Sequence, residues 1–217
     1  MIVKDGIYYA AALSAGGFLI GWLAGLAFGL PLFILAGFCL YFFRDPDRIV
    51  PPGVVAVSPA DGKVVAVKPE GQSQTRISIF LNIFDVHVNR SPISGVITDV
   101  RYQKGRFMVA SQERCSTENE QNVVTVEGEG GARVVFKQIA GLIARRIVFT
   151  KKTGDRVTAG ERVGLIKFGS RVDVLFGPEW DILVRPGMRV SAGSSVLAYN
   201  RELSCAASPA ERETVHG

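Results

Sequence analysis

Ser170, His87 and Asp61 are the three residues of this sequence whose types could combine to activate a hydroxyl group. A serine hydroxyl becomes a good nucleophile when a histidine takes its proton, and a carboxylate often orients that histidine. His87 is the candidate base because the other histidine, His216, is the penultimate residue of a C-terminal stretch whose composition predicts disorder. Ser170 follows Gly169 in "GLIKFGSR", inside a run rich in valine and glycine.

Each of these residues also has an ordinary structural interpretation. A glycine within a strand pattern commonly marks a β-bulge, and Asp61 followed by Gly62 is a common turn pair. A single histidine in a strand is more often structural than catalytic. Alternation along "FDVHVN" puts His87 on the strand face shared with Asp85 and Asn89. Asn82, Asn89 and Arg90 could be polar contacts near His87, but a solvated strand face explains them equally well.

The N-terminus predicts a membrane anchor. From Gly6 to Phe43 there are 38 consecutive residues without a charge, whereas one crossing needs about 20. Two short spans, Tyr8 to Ala27 and Leu32 to Phe43, fit better than one, with the turn at Phe28 to Leu32, where glycine and proline occur. The stretch is too long for the apolar core of a cleavable signal peptide. The second span is short, so a hairpin that dips into the bilayer stays an alternative.

Charge and cysteine content predict the compartment. Basic residues lie on both sides of the apolar run, so a hairpin keeps both flanks, and the folded part, on the cytoplasmic side of a cell membrane. Three cysteines without motif spacing indicate neither a disulfide framework nor a metal site. The net charge of +5 is scattered, without the aromatic-interleaved basic stripe of a nucleic-acid-binding protein. Basic residues near an anionic membrane surface gain about 1 kcal/mol each, but we expect most of these charges to be a solvated surface.

After residue 50 the sequence predicts a mainly β domain. Short β-branched runs are separated by glycine, proline and aspartate, and long helical periods are missing. "GVVAVSPADGKVVAV" predicts a hairpin with its turn at residues 59–62. "GDRVTAGERV" (154–163) and "GMRVSAGSSV" (187–196) repeat one pattern at a separation of 33 residues, which predicts a pseudo-symmetric pair of hammerhead-like units in a barrel-sandwich-hybrid-like fold. The predicted organisation is an anchor (1–48), a catalytic β domain (49–200) and a disordered tail (201–217).

Five separated segments give the sequence its family resemblance. "SPADGKV", "FDVHVNRSP", "ENEQN", "GLIARRI" and "KTGDRVTAGERVGLIKFGSRVDV" occur in an order and spacing that resembles the phosphatidylserine decarboxylase family, in its short form with an N-terminal hydrophobic hairpin. The resemblance covers residues 40 to 200. It implies a self-cleaving proenzyme that converts phosphatidylserine to phosphatidylethanolamine.

The resemblance implies cleavage between Gly169 and Ser170. The Ser170 hydroxyl attacks the Gly169 carbonyl, the amide becomes an ester, and elimination and hydrolysis leave a covalent pyruvoyl group in place of Ser170. Its ketone takes up the amine of the serine headgroup and serves as the electron sink when carbon dioxide leaves, so no separate cofactor is needed. The two chains, 1–169 and 170–217, are expected to stay associated through a shared sheet. By the same resemblance His87 is the base and Asp61 its orienter.

The sequence departs from the family at two positions. Some members have two histidines in the segment matching "DVHVNRSP", whereas this chain has Arg90 near the place of the second. His87 therefore serves both cleavage and decarboxylation, or only the latter. Many members have threonine where this chain has Arg171, which we interpret as a tuning difference because the Gly-Ser junction is kept.

Two other classes of function compete with the enzyme. Lys167 follows a G-x-x-V-x-x-G-x-x-V run, as in biotinyl or lipoyl carrier domains, although the Met-Lys-Met pattern of such hairpins is missing. A membrane-anchored β domain without chemistry would have Gly169-Ser170 as a bulge. The covalent state of the purified protein separates the three hypotheses.

Overall fold

Two glycine-containing helices, without charged residues from Gly6 onward, lie in the N-terminal unit, Met1–Asp47. Helix α1 spans Lys4–Ala24 and α2 spans Leu26–Phe42. They run antiparallel, because Val3 N–H donates to the Phe43 carbonyl oxygen and Ile2 pairs with Arg44. Helix α1, at 21 residues, is long and apolar enough to cross a membrane. The predicted helical hairpin is confirmed.

The predicted position of the turn between the helices is wrong. The chain turns at Gly25, whose φ of 102° is rarely adopted by residues with a side chain, and Pro31 lies inside α2. Helix α2 has 17 residues, about 25 Å at 1.5 Å per residue, against an apolar bilayer core of about 30 Å. It is the shorter of the two helices, as the second predicted span was.

The second unit, Arg48–Gly217, is mainly β, as predicted. The computed structural model describes residues 1–109, 112–142, 146–167 and 170–206, with 205 and 206 described by main chain alone. The strands in chain order are β1 Val55–Val57, β2 Gly62–Glu70, β3 Gln74–Leu81, β4 Val88–Arg90, β5 Gly95–Gln103, β6 Gln121–Glu127, β7 Arg133–Ile139, β8 Ile147–Phe149, β9 Arg156–Val157, β10 Arg162–Ile166, β11 Ser170–Phe176, β12 Trp180–Ile182, β13 Arg189–Val190 and β14 Val196–Asn200. Helix α3 spans Cys115–Glu118 and α4 spans Arg201–Ala206.

The strands form one large sheet and two small ones. The eight-stranded sheet has the order β13-β2-β3-β11-β7-β6-β5-β9, and the three-stranded sheets are β1-β14-β12 and β4-β10-β8. All pairs in them are antiparallel. Buried valine, isoleucine and phenylalanine side chains from the large sheet form the core, with Ile79, Phe136 and Val174 among them. Burial of this apolar surface drives the folding of the domain.

The sequence repeat corresponds to a structural repeat. Each copy gives a two-residue strand, a turn and a longer strand: β9 and β10 in the first copy, β13 and β14 in the second. The short strands β9 and β13 form the two edges of the large sheet, and β10 and β14 are the central strands of the two small sheets. The turn glycines Gly160 and Gly193 both have positive φ and face each other closely. The predicted pair of related units is therefore present.

Two local predictions are wrong. The strands on either side of residues 59–62, β1 and β2, do not form a hairpin. Strand β1 pairs with β14, and β2 pairs with β3 and β13. The residues around His87 are not a continuous strand, because a turn at residues 82–87 separates β3 from β4. The start of the predicted tail, Arg201–Ala206, is helical, and residues 207–217 lie outside the described part of the chain. Disorder of that remainder stays a prediction.

Gly62 allows β2 to start beside β3. Its φ is 152°, and a Cβ there would lie 2.3 Å from the Phe80 carbonyl oxygen. We expect Gly62→Ala to lower the free energy of unfolding by about 3 kcal/mol, because backbone strain and overlap add. Gly71→Ala is the matched control: it also has positive φ but open space, so about 1 kcal/mol is expected. Thermal unfolding of the detergent-solubilised protein, followed by circular dichroism, checks the difference, and equal midpoints would contradict it.

Candidate active site

Ser170 is the first residue of β11, an interior strand of the large sheet that lies between β3 and β7. Its main chain pairs with Leu81 at the end of β3, and Arg171 next to it pairs with Ile139 at the end of β7. Alternation places Ser170 on the same face as the core residues Val172 and Val174. The Ser170 side chain is fully buried, and its Oγ has no hydrogen-bond partner among the described residues. Buried hydroxyl groups are nearly always hydrogen-bonded, so this one requires an explanation.

The segment 81–88 is joined by main-chain contacts to Ser170 at one end and to Ile166 at the other. Leu81 pairs with Ser170, and the Ile166 N–H donates to the His87 carbonyl oxygen at 3.3 Å. Val88 then pairs with Leu165 in the β4–β10 ladder. Main-chain contacts therefore fix both ends of the turn that carries His87, one to β11 and the other to β10. Gly169 itself lies outside the described residues.

His87 is buried, and its imidazole is oriented by a main-chain group. Nδ1 lies 2.9 Å from the Asp85 carbonyl oxygen. A carbonyl oxygen only accepts hydrogen bonds, so Nδ1 carries the proton and donates it to this contact. In the neutral imidazole the basic lone pair is then on Nε2. This tautomer is the one that a general base acting through Nε2 requires.

Asp85 fixes the turn that carries His87. Its carboxylate accepts a hydrogen bond from the Asn82 N–H at 2.9 Å and pairs with Arg189. Asn82 in turn accepts the Phe84 N–H at 2.8 Å. Alternation predicts Asp85 on the same strand face as His87 but predicts no role for it. The imidazole contact uses the main-chain carbonyl of residue 85, which any residue type would supply, so the sequence has no signal for it.

Asp61 does not contact His87 in the described structure. Its carboxylate accepts two hydrogen bonds from Arg48, at 2.7 and 2.9 Å, and one from the Ala192 N–H at 2.7 Å. The imidazole is oriented by Asp85 instead. The orienting contact that the resemblance implies for Asp61 is therefore not made here, and it would require the carboxylate to leave Arg48 and Ala192.

Buried amides line the core side of the site. Gln138 lies beside Val172 and donates to Asn89 Oδ1 at 2.9 Å, and Asn122 donates to Gln138 Oε1 at 3.1 Å. Asn89 is two residues beyond His87 and fully buried, and Arg90 is also buried. A solvated strand face is thus wrong for Asn89 and Arg90. Arg90 donates to the Gly160 carbonyl oxygen at 2.9 Å.

A buried ionic network, here called the β11 network, lies on the opposite face of β11. Arg171 Nε donates to Asp173 Oδ1 and Arg171 Nη2 to Ser78 Oγ, each at 2.6 Å. The other carboxylate oxygen of Asp173 accepts Ser116 Oγ at 2.6 Å and Arg76 Nη1 at 3.4 Å. Arg171 and Asp173 are fully buried. The sequence shows this network only as two charged residues in an otherwise apolar run.

Residues 112–118 cover the β11 network. Arg76 pairs with Glu113, and this hydrogen bond holds the pKa of the Glu113 carboxyl below its ordinary value. The stabilisation from that pair is therefore present above the unfolded pKa of Glu113 and lost as the pH falls through its folded pKa. Burial raises the pKa of the Cys115 thiol, which lies 3.7 Å from Arg171 Nη1. At neutral pH the Cys115 thiol is therefore uncharged and the Glu113 carboxyl is charged.

Asp173 is the residue on which the β11 network depends, because it pairs with two buried arginines. We expect Asp173→Asn to lower the free energy of unfolding by about 3 kcal/mol, since it leaves buried positive charge without a counter-charge. Asp181→Asn is the control: Asp181 and its partner Arg201 are partly exposed, and less than about 1 kcal/mol is expected. Thermal unfolding should show a midpoint shift of roughly 6–12 °C for the first variant. A shift no larger than that of the control would contradict the assignment.

Comparison with known proteins gives one consistent result. The family model for phosphatidylserine decarboxylase matches residues 35–198. The chain is 70% identical over 197 residues to the phosphatidylserine decarboxylase proenzyme of Solibacter usitatus, covering 91% of this chain and 96% of that protein. It is 49% identical over 167 residues to that of Solidesulfovibrio magneticus (74% and 78%) and 40% identical over 203 residues to that of Magnetococcus marinus (89% and 92%). The chain belongs to the phosphatidylserine decarboxylase family, and the predicted resemblance is confirmed.

Proposed function

We propose that this member of the phosphatidylserine decarboxylase family cleaves itself between Gly169 and Ser170 and then converts phosphatidylserine to phosphatidylethanolamine and carbon dioxide. The observation that carries the proposal is the buried Ser170 hydroxyl, at the first residue of a central strand, without a hydrogen-bond partner in the described part of the chain. The name proenzyme, which the relatives bear, agrees with a chain that is processed. The carrier and inert-domain alternatives leave that hydroxyl unexplained.

Self-cleavage begins with Ser170 itself. A base takes the Oγ proton, Oγ attacks the Gly169 carbonyl carbon, and the C–N bond breaks so that an ester replaces the amide. Loss of the Cα proton and breakage of the Cβ–Oγ bond release chain 1–169 with its carboxylate and leave dehydroalanine at position 170. Water then replaces the nitrogen, ammonia leaves, and a pyruvoyl group remains. Each bond that breaks belongs to residue 169 or 170.

Residue 170 fits a pyruvoyl group. The site is buried, apolar side chains from the core lie on the same face, and no donor among the described residues binds Oγ. The group would supply a ketone that takes up the substrate amine and accepts the electron pair released with carbon dioxide. Residue 170 and the amides of Asn89, Gln138 and Asn122 are all buried from bulk water, and main-chain pairing with Leu81 fixes residue 170.

His87 is proposed as the base and proton donor of the site. Its Nδ1–H contact with Asp85 puts the basic lone pair on Nε2, and its turn is joined by main-chain contacts to Ile166 and, through Leu81, to Ser170. Asp61 is proposed as a further site residue. In the structure its carboxylate accepts hydrogen bonds from Arg48 and from the Ala192 N–H, and none from the imidazole.

The two chains of the cleaved protein are proposed to remain associated. Chain 170–217 would contain β11, which pairs with β3 and β7, together with β13 and β14, which pair with β2 and β1. These ladders exist in the uncut chain, and they include Ser170, which pairs with Leu81. The N-terminal helices are proposed to anchor the protein in the cell membrane with the β domain on the cytoplasmic side.

Ser170→Ala should give one uncut chain without decarboxylase activity. The unmodified protein should instead give a fragment of 48 residues (170–217) that resists Edman degradation, because a pyruvoyl group has no amine. Intact mass spectrometry of both proteins checks the cut and the group together. Decarboxylation of phosphatidylserine by Ser170→Ala would overturn the proposal. An uncut wild-type chain carrying biotin or lipoyl would support the carrier alternative.

His87→Gln tests the histidine, since glutamine keeps a polar side chain of similar reach but cannot act as a base. We expect turnover to fall by at least about 100-fold, in the range for a general acid or base. Self-cleavage in the same variant, followed by electrophoresis over time, tells whether His87 serves both steps. Persistent cleavage with lost turnover assigns His87 to decarboxylation alone. Unchanged turnover would contradict its role.

A further inference from the structure

One end of the large sheet, here called the Ser170 end, gathers the loops around the site. Leu81 at the end of β3 pairs with Ser170, and Ile139 at the end of β7 pairs with Arg171. Ile139 also pairs with Gln121 at the start of β6, which pairs with Gln103 at the end of β5. The connections that leave β3, β5 and β7 therefore all emerge at this end of the sheet.

These three connections present apolar side chains to solvent. Loops at a sheet end are normally polar, and contiguous exposed apolar groups mark an interaction surface. The exposed side chains, with the exposed fraction of each, are Ile83 (38%) and Phe84 (60%) after β3, Val109 (43%) after β5 and Leu142 (55%) after β7. The core does not require any of them. All four lie on connections at the end of the sheet where Ser170 begins β11, so an apolar environment on this side would remove them from water.

Cationic side chains accompany the apolar ones. Lys63 is the second residue of β2 and pairs with Phe80, Lys104 follows the end of β5, and Arg146 precedes β8. All three are exposed, and within the described residues none of them has an ion pair. Exposed apolar tips with unpaired cations beside them are typical of proteins that lie on anionic lipid.

We infer that the Ser170 end docks directly on an anionic bilayer, with Phe84 and Leu142 entering the headgroup region and Lys63, Lys104 and Arg146 facing acidic headgroups. Charge complementarity selects this partner, because a protein partner for an apolar patch does not require a cationic border. The inference rests on the proposed function in one respect: it explains how a headgroup reaches residue 170 while its acyl chains stay in the bilayer. It makes these loops a second membrane contact, additional to the N-terminal helices.

A fluorescence experiment tests the contact without any turnover. Phe84→Trp is made in a chain that carries Trp22→Phe, Trp180→Phe and Ser170→Ala, so that residue 84 is the single tryptophan. The protein is reconstituted in phosphatidylglycerol vesicles with brominated acyl chains. Gln72→Trp is the matched control, since residue 72 lies in the exposed turn between β2 and β3 at the opposite end of the sheet. We expect at least about twofold stronger quenching at position 84 than at 72, and a weaker effect in phosphatidylcholine or at 1 M salt, where charge attraction is screened.

Equal quenching at positions 84 and 72 would overturn the inference. A blue shift of the indole emission from position 84 that depends on protein concentration and not on brominated lipid would also overturn it, because the patch would then bind a second copy. Because the Ser170→Ala chain is used, a failure of the proposed decarboxylation leaves this result unaffected.

Kinetics of the active protein give an independent test. Leu142→Ser should raise the KM for phosphatidylserine in vesicles by about 10-fold, as expected when one leucine no longer leaves water, with kcat unchanged. The same variant should act normally on a short-chain phosphatidylserine below its micelle concentration. Equal losses on both substrates would assign Leu142 to the active site and contradict the membrane contact.

Discussion

Pairing of β11 on both sides is the constraint on which the rest of this domain depends. Main-chain hydrogen bonds to β3 and β7 fix the strand from its first residues, so the position of Ser170 is set by the sheet and not by its own side chain. An unpaired buried hydroxyl costs roughly 1–3 kcal/mol. Burial of the apolar core face of β11 and the hydrogen bonds of its two ladders together offset that cost. The hydroxyl is thus held in place by structure that lies almost entirely outside the site.

The β11 network fixes the register of β11 relative to β3 and β7. A slip of one residue would move Arg171 to the core face and bring Val172 among the charges, since successive side chains point to opposite faces. Burial of an unpaired guanidinium in an apolar core is far more costly than the loss of a few ladder bonds. The charges next to the junction therefore allow only one alignment of Ser170 with Leu81. This gives Arg171, where many family members have threonine, a structural explanation in this chain.

The sequence predicts the helices and strands of this protein better than it predicts the contacts between them. The β-branched runs, the uncharged N-terminus and the repeat are local patterns, and they predicted the mainly β domain, the helical hairpin and the paired units. The turn at Gly25 was missed because Pro31 is a stronger turn signal, although a helix accommodates it. The hairpin at residues 59–62 was wrong because β1 pairs with β14, near the other end of the chain, which no local pattern can reveal. The resemblance implies that Asp61 orients His87, but the Asp61 carboxylate accepts hydrogen bonds from Arg48 and Ala192 instead. The main-chain carbonyl of Asp85 orients the imidazole. Because every residue has such a carbonyl, the residue type gives no signal for this contact.

The repeat has a consequence for solubility. A sheet is vulnerable at its edges, where unpaired main-chain groups can recruit another chain, and very short edge strands reduce that hazard. Here both edges, β9 and β13, are two-residue strands taken from equivalent places in the two copies of the repeat. One edge belongs to residues 1–169 and the other to residues 170–217. Each portion of a divided chain would thus contribute one of the two short edge strands. Neither portion alone would have a sheet with a short, protective strand at both edges.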